Sequence, residues 1–65
     1  MIRKHFPQPW EKHLRKLVTV MYGEAKGMIG KIVDGFGDTA VVEFDLGEDQ
    51  IEKKTIPLHH LKPHA

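Results

Sequence analysis

The stretch from Val18 to Val33 limits the fold more than any other part of the sequence. Apolar and polar residues alternate on both sides of a loop, residues 23–27, that begins and ends with glycine. A period of two residues is typical of half-buried strands, and glycine permits the positive φ angles that loops need. The stretch therefore predicts two neighbouring strands, over residues 14–22 and 28–33.

Two further strands follow the same alternation. Residues 39–46 alternate strictly, whereas residues 51–58 change phase, which predicts a bulge or a sharp bend between Ile51 and Ile56. An Asp-Gly pair favours a hairpin turn over residues 34–38, and the sequence over residues 47–50 predicts a second one.

The end of the chain completes the predicted sheet. Residues 59–61 predict a short helical turn near the C-terminus, and Lys62 with Pro63 could add a very short fifth strand. Gly30 lies inside a predicted strand, which is costly unless another chain segment or an aromatic ring lies against it or the strand bends there.

Four or five short strands without an amphipathic helix predict an all-β protein. Only a small core fits in 65 residues, so the antiparallel strands must bend strongly to enclose it. We therefore predict a small barrel over residues 14–65. Its core would contain Val18, Val20, Ile32, Val42, Phe44, Ile56 and Leu61.

Residues 1–13 predict an N-terminal arm, because Pro7 and Pro9 exclude a continuous helix or a central strand. Pro9 suits the first position of a short helical turn that reaches residue 13. Two interpretations of Trp10 and Phe6 remain open. These side chains either fold back and cap one end of the core, or they present a hydrophobic anchor to a partner.

The composition argues against an enzyme. The chain has neither cysteine nor serine, so disulfides, thiolate metal sites and serine or cysteine nucleophiles are excluded. The five histidines have no suitably placed carboxylates and predict surface positions, so we expect no catalytic residues, no metal and no cofactor. The N-terminus lacks the apolar stretch of a signal peptide, and no apolar run approaches the roughly 18 residues of a membrane span. A cytoplasmic location is expected.

The net charge of +1 conceals an uneven distribution. Residues 1–31 contain seven Lys or Arg and two Glu, a net charge of +5, whereas residues 32–65 have a net charge of −4. Two interpretations remain open. The asymmetry favours a surface with two signs of charge, or it places opposite charges across neighbouring strands, where they help to fix the register.

Spaced positions in the first two strands resemble the KOW motif of NusG-type transcription elongation factors and several ribosomal proteins. The residues that carry this resemblance are Val18, Val20, Gly23, Lys26, Gly27, Gly30 and Ile32. Residues 42–44 and 56–63 are similar to the third strand and the terminal turn of such domains. The resemblance implies an SH3-like (Tudor-like) barrel over about residues 16–63. It also implies attachment to RNA, a polymerase or a ribosome.

Two functions are compatible with these features. We predict a non-catalytic binding or assembly module that docks onto a larger protein or ribonucleoprotein complex, with Trp10 and Phe36 as candidate protein anchors. The alternative is direct binding of RNA or DNA by a basic patch on the first two strands and their loop. The residues expected at the binding surface are Arg15, Lys16, Tyr22, Lys26 and Lys31.

Overall fold

The computed structural model describes residues 7–64, which form a five-stranded antiparallel sheet. Its strands are β1 (Leu17–Val20), β2 (Ile29–Phe36), β3 (Thr39–Gly47), β4 (Gln50–Pro57) and β5 (Leu61–Pro63). The order across the sheet is β4-β3-β2-β1-β5. Helical structure in this part of the chain is limited to two 3-10 turns, Pro9–His13 and Leu58–His60. The predicted all-β class, with short antiparallel strands and a helical turn near the C-terminus, is confirmed.

β1 is shorter than the predicted strand over residues 14–22. The strand cannot start before Leu17 because Arg15 has a φ of 65°, which is far from extended backbone. The N–H of Arg15 instead donates to the carbonyl oxygen of Ile32, at 2.6 Å. At the other end, the N–H and carbonyl of Val20 bond to residues 28 and 27, which close the loop and end the strand.

The first hairpin turn is shorter than the predicted turn over residues 34–38 and lies at the C-terminal end of that range. β2 continues to Phe36, and only residues 37 and 38 form the turn. A register shift between Ile32 and Asp34 places a β-bulge inside β2. The Asp-Gly pair therefore lies within the strand, and the prediction that it forms the turn was wrong.

The second hairpin has its turn where it was predicted, within residues 47–50. Of the bulge or sharp bend predicted between Ile51 and Ile56, the bulge was wrong, because the register between β3 and β4 is unbroken along that segment. The apolar phase changes because Ile51, the register partner of Asp45, lies on the outer face of the sheet, whereas Ile56, the partner of Ala40, lies on the inner face. Ile51 is 60% exposed, whereas Ile56 is 8% exposed. The register shift lies instead between Asp45 and Gly47.

The inner face of the sheet encloses one apolar core. All the predicted core residues are buried except Leu61, which is partly buried and packs against the others. Gly30 lies in close contact with β3. A Cβ atom at Gly30 would lie 2.8 Å from the carbonyl oxygen of Glu43 and 2.9 Å from Cδ1 of Phe44. The expectation of a close neighbour at this glycine is confirmed.

The N-terminal segment folds back onto the β2–β3 hairpin. Trp10 is buried, and its ring lies over Gly35, where a Cβ atom would come within 2.6 Å of Trp10 Cγ. The side-chain oxygen of Gln8 accepts hydrogen bonds from Trp10 Nε1, at 3.0 Å, and from the N–H of Gly37. In the structure the side chain of Trp10 folds back onto the core, which is the first of the two interpretations of this residue. Phe6 lies outside the described residues.

Candidate binding cleft

The basic residues predicted at the binding surface form two groups. Arg15, Lys16 and Lys31 lie at the start of β1, where Ile32 of β2 hydrogen bonds to the backbone of both residues 15 and 16. Lys26 lies in the loop at the opposite end of β1, as does Tyr22. β1 has four residues, which span about 13 Å in a strand. The structure therefore does not join the predicted cations into one continuous patch.

Charges of opposite sign meet across the outer face of the sheet, the face turned away from the core. Lys31 on β2 is the register partner of Glu43 on β3, which in turn is the partner of Lys53 on β4. Opposite charges placed directly across strands stabilise the pairing. This arrangement follows one of the two interpretations of the uneven charge. It places an acidic residue beside the cation at position 31.

The two candidate protein anchors are in different environments. Phe36, at the end of β2, is 74% exposed and is the most exposed of the large apolar side chains in residues 7–64. Trp10, in contrast, is part of the core. Only Phe36 is available on the surface in this conformation.

The first loop does border a cleft, and its second wall is β4. Residues 22–25 form one side and residues 54–57 form the other. The floor contains Val20, Ala25 and Ile56, which are buried members of the core. Since the cleft opens onto the core between two segments that do not pair, a side chain inserted there would contact apolar surface.

β4 lies at an edge of the sheet and pairs with β3 alone. Within residues 7–64, no backbone hydrogen bond joins residues 54–57 to any segment other than β3. Four consecutive residues of this strand line the cleft, so its free edge borders the opening. An edge of this kind presents unpaired N–H and C=O groups to another extended segment.

Aromatic and imidazole rings form one rim of the cleft. Tyr22 and His60 make an edge-to-face contact with ring centroids 5.4 Å apart, and His59 contacts His60 in the same way at 4.4 Å. The N–H of Met21 donates to the carbonyl oxygen of His60 at 2.7 Å, which fixes the loop to the C-terminal 3-10 turn. The Tyr22 side chain remains 61% exposed and available for contact.

The size of the cleft limits what it can hold. Its volume is 210 Å³, below the roughly 300–1,000 Å³ of small-molecule sites. It suits one or two side chains of a macromolecular partner better than an enclosed cofactor. Among the described residues, no three His, Asp or Glu side chains cluster as metal ligands would, and no helix is long and apolar enough to cross a membrane.

The sequence analysis placed Tyr22 at this surface but missed Lys54, Ile56 and His60. Tyr22 shares the parity of Val18 and Val20, and beyond the end of β1 it lines the cleft together with Val20. Ile56 is the buried residue of β4 on that face. The parity of these two residues was visible in the sequence. Their meeting across the open edge depends on the strand order, which was not.

Comparison with known proteins adds no relative, since neither a protein-family model, a curated protein nor a solved structure matches the chain.

Proposed function

We propose that this protein is a non-catalytic binding module that attaches to a larger protein or ribonucleoprotein complex. In this proposal, the cleft between the first loop and β4 holds an extended segment of the partner. The observation that carries the proposal is the free edge of β4 along residues 54–57, which faces the loop wall across an apolar floor.

An extended segment would complete the sheet at this edge. Its backbone would hydrogen bond to β4, and alternate side chains would point into and away from the cleft. One inward apolar side chain would contact Val20 and Ile56, and the rings of Tyr22 and His60 would cover it from the rim. Backbone bonds supply affinity in this mode, while the side-chain pocket supplies specificity.

We further propose that the domain is of the KOW type, with an SH3-like barrel, and acts in the cytoplasm. The resemblance of residues 18–32 to the KOW motif supports the first part.

Direct nucleic-acid binding is the alternative, and the arrangement of charge makes it the weaker one. Phosphate neutralisation by several cations dominates the affinity of nucleic-acid binders. Here Lys26 is separated from the other predicted cations by the length of β1, and Lys31 faces Glu43. A docked protein segment does not require a continuous basic surface.

Selection from a displayed library of random peptides tests the proposed function. We expect the selected peptides to be extended, with an apolar residue that enters the cleft. In NMR titrations they should shift the backbone amide resonances of residues 22–25 and 54–57. Peptides that shift resonances elsewhere, or a failure to select any, would argue against the cleft as a binding site.

Two exposed aromatic residues provide a matched pair of variants. Tyr22→Ala should weaken peptide binding about tenfold or more, since it removes one rim of the cleft. Phe36→Ala removes a more exposed ring, at the C-terminal end of β2. Phe36 does not line the cleft, so this variant should leave the affinity unchanged. The same pair should separate affinity captures from a lysate of the source cells. The partner complex should be lost with the first variant and kept with the second.

A further inference from the structure

The outer face of β1 and β2 carries an apolar surface that the core does not use. Leu17 and Ile29 project from it and are 50% and 47% exposed. With Gly30, Lys31, Glu43 and Asp45 they line a shallow depression of 240 Å³. Neighbouring apolar side chains left in water on a small domain are typical of interaction surfaces.

Charges of opposite sign flank these two apolar side chains. The strand register places Lys62 of β5, Thr19 of β1 and Ile29 of β2 side by side in one row. Asp45 of β3 borders the same depression as Ile29. Across the sheet, the row is therefore basic on β5, uncharged in the middle, at Thr19 and Ile29, and acidic on β3.

We infer that two copies of this chain pair through this outer face, with a twofold axis that runs along the strands between β1 and β2. The strand order supports this geometry. β5 and β3 lie at equal distances, one strand beyond β1 and β2 respectively, on either side of that axis. Rotation by 180° therefore places β5 of one copy opposite β3 of the other.

The symmetry pairs each charge with its opposite. Lys62 of one copy lies opposite Asp45 of the second copy, and the same contact is made again on the other side of the axis. Ile29 packs against Thr19 of the second copy. Leu17 lies opposite the aliphatic part of Lys31. A twofold interface must be complementary to itself, and a row that is basic, uncharged and acidic meets that condition.

A second copy fits this surface better than a strongly charged partner. Both signs of charge occur on the face, so a polyanion or a polycation would meet repulsion at one flank. The net charge of each chain is only +1, so two copies repel each other little at long range. The inference does not rest on the proposed function, because the walls of the cleft contain none of the paired residues.

Sedimentation of the protein from micromolar to millimolar concentration tests the inference. We expect a reversible monomer–dimer equilibrium. Lys62→Glu alone and Asp45→Lys alone should each raise the dimer dissociation constant about tenfold or more, because each variant places two pairs of like charges together. A mixture of the two variants should restore the dimer, since every pair is again opposite in charge. Monomers at all concentrations, or no rescue in the mixture, would overturn the inference.

A second pair of variants guards against misfolding, because Asp45 also accepts a hydrogen bond from the N–H of Gly47. Ile29→Lys introduces charge at the centre of the interface and should abolish the dimer. Ile51→Lys introduces the same charge on β4, beyond the region that β5 of the second copy covers, and should leave the dimer intact. Equal effects of the two variants would contradict the proposed axis.

Discussion

Within residues 7–64, three residues other than glycine hold backbone angles that glycine adopts most easily. Arg15 has a φ of 65°, and Glu48 and Asp49, at the tip of the β3–β4 hairpin, have φ values of 49° and 64°. A left-handed backbone costs an ordinary L-residue about 1–2 kcal/mol. Two successive residues with positive φ are typical of a type I′ hairpin turn, which favours Asn-Gly. The hairpin therefore has the conformation of a good turn without the residues that stabilise it.

Asp49→Gly should raise the free energy of unfolding by about 1 kcal/mol, because glycine adopts a φ of 64° without strain. For a domain of this size, that corresponds to a rise of about 4–8 °C in the melting temperature. Thermal unfolding followed by circular dichroism measures the change. Asp49→Ala is the control, since it removes the same carboxylate and retains the strained backbone. An equal gain in stability in both variants would show that the loss of the carboxylate charge, and not the relief of backbone strain, causes the effect.

At the scale of elements, two glycines allow neighbouring segments to approach the sheet. The role of Gly30 could be predicted, because a glycine inside an alternating pattern of apolar residues implies a close neighbour. The role of Gly35 could not be predicted. It follows an aspartate, a combination that usually marks a turn, and a side chain is excluded there by the carbonyl oxygen of Thr39 and by contact with the ring of Trp10. That contact joins residues far apart in the chain, which local patterns do not report.

Gly35→Ala should displace Trp10 from the β2–β3 hairpin. A Cβ atom at this position would overlap the indole ring, so we expect a loss of about 1–3 kcal/mol of stability. The fluorescence of Trp10, which is the sole tryptophan of the chain, should shift to longer wavelength in the folded state. Gly30→Ala is the matched control. It should destabilise to a similar degree, with the emission of the folded protein unchanged.

At the scale of the whole molecule, alternation of apolar residues was enough to predict the class and most of the strands. It did not predict the ends of β1, which depend on the φ of Arg15 and on the bonds that Val20 makes to the loop. The cleft was predicted only in part. Tyr22 was identified from its position beside the first loop, but Lys54 and His60 join it through the strand order and the C-terminal turn.

The two groups of cations predict weak binding of nucleic acid. If Arg15, Lys16 and Lys31 alone contact single-stranded RNA, log K should fall with log salt with a slope of about −2, from 0.7 per phosphate. A salt titration by fluorescence anisotropy measures this slope. Lys31→Glu should weaken this binding to RNA, whereas Lys26→Glu, at the other end of β1, should leave it unchanged. A slope steeper than about −3, with both variants impaired, would favour the nucleic-acid alternative.

The pairing of β1 with β5 also has a consequence for the lifetime of the folded state. β2, β3 and β4 are joined by tight turns and can form from contacts local in sequence, whereas Val20 meets Leu61 only after almost the whole chain between them is ordered. The entropy of closing such a long loop is lost before the three-residue strand contributes its contacts. We therefore expect β5 to be the last strand to join during folding and the first to detach. Substitutions there should alter the unfolding rate far more than the folding rate, and a molecule bound across β5 should prolong the native state.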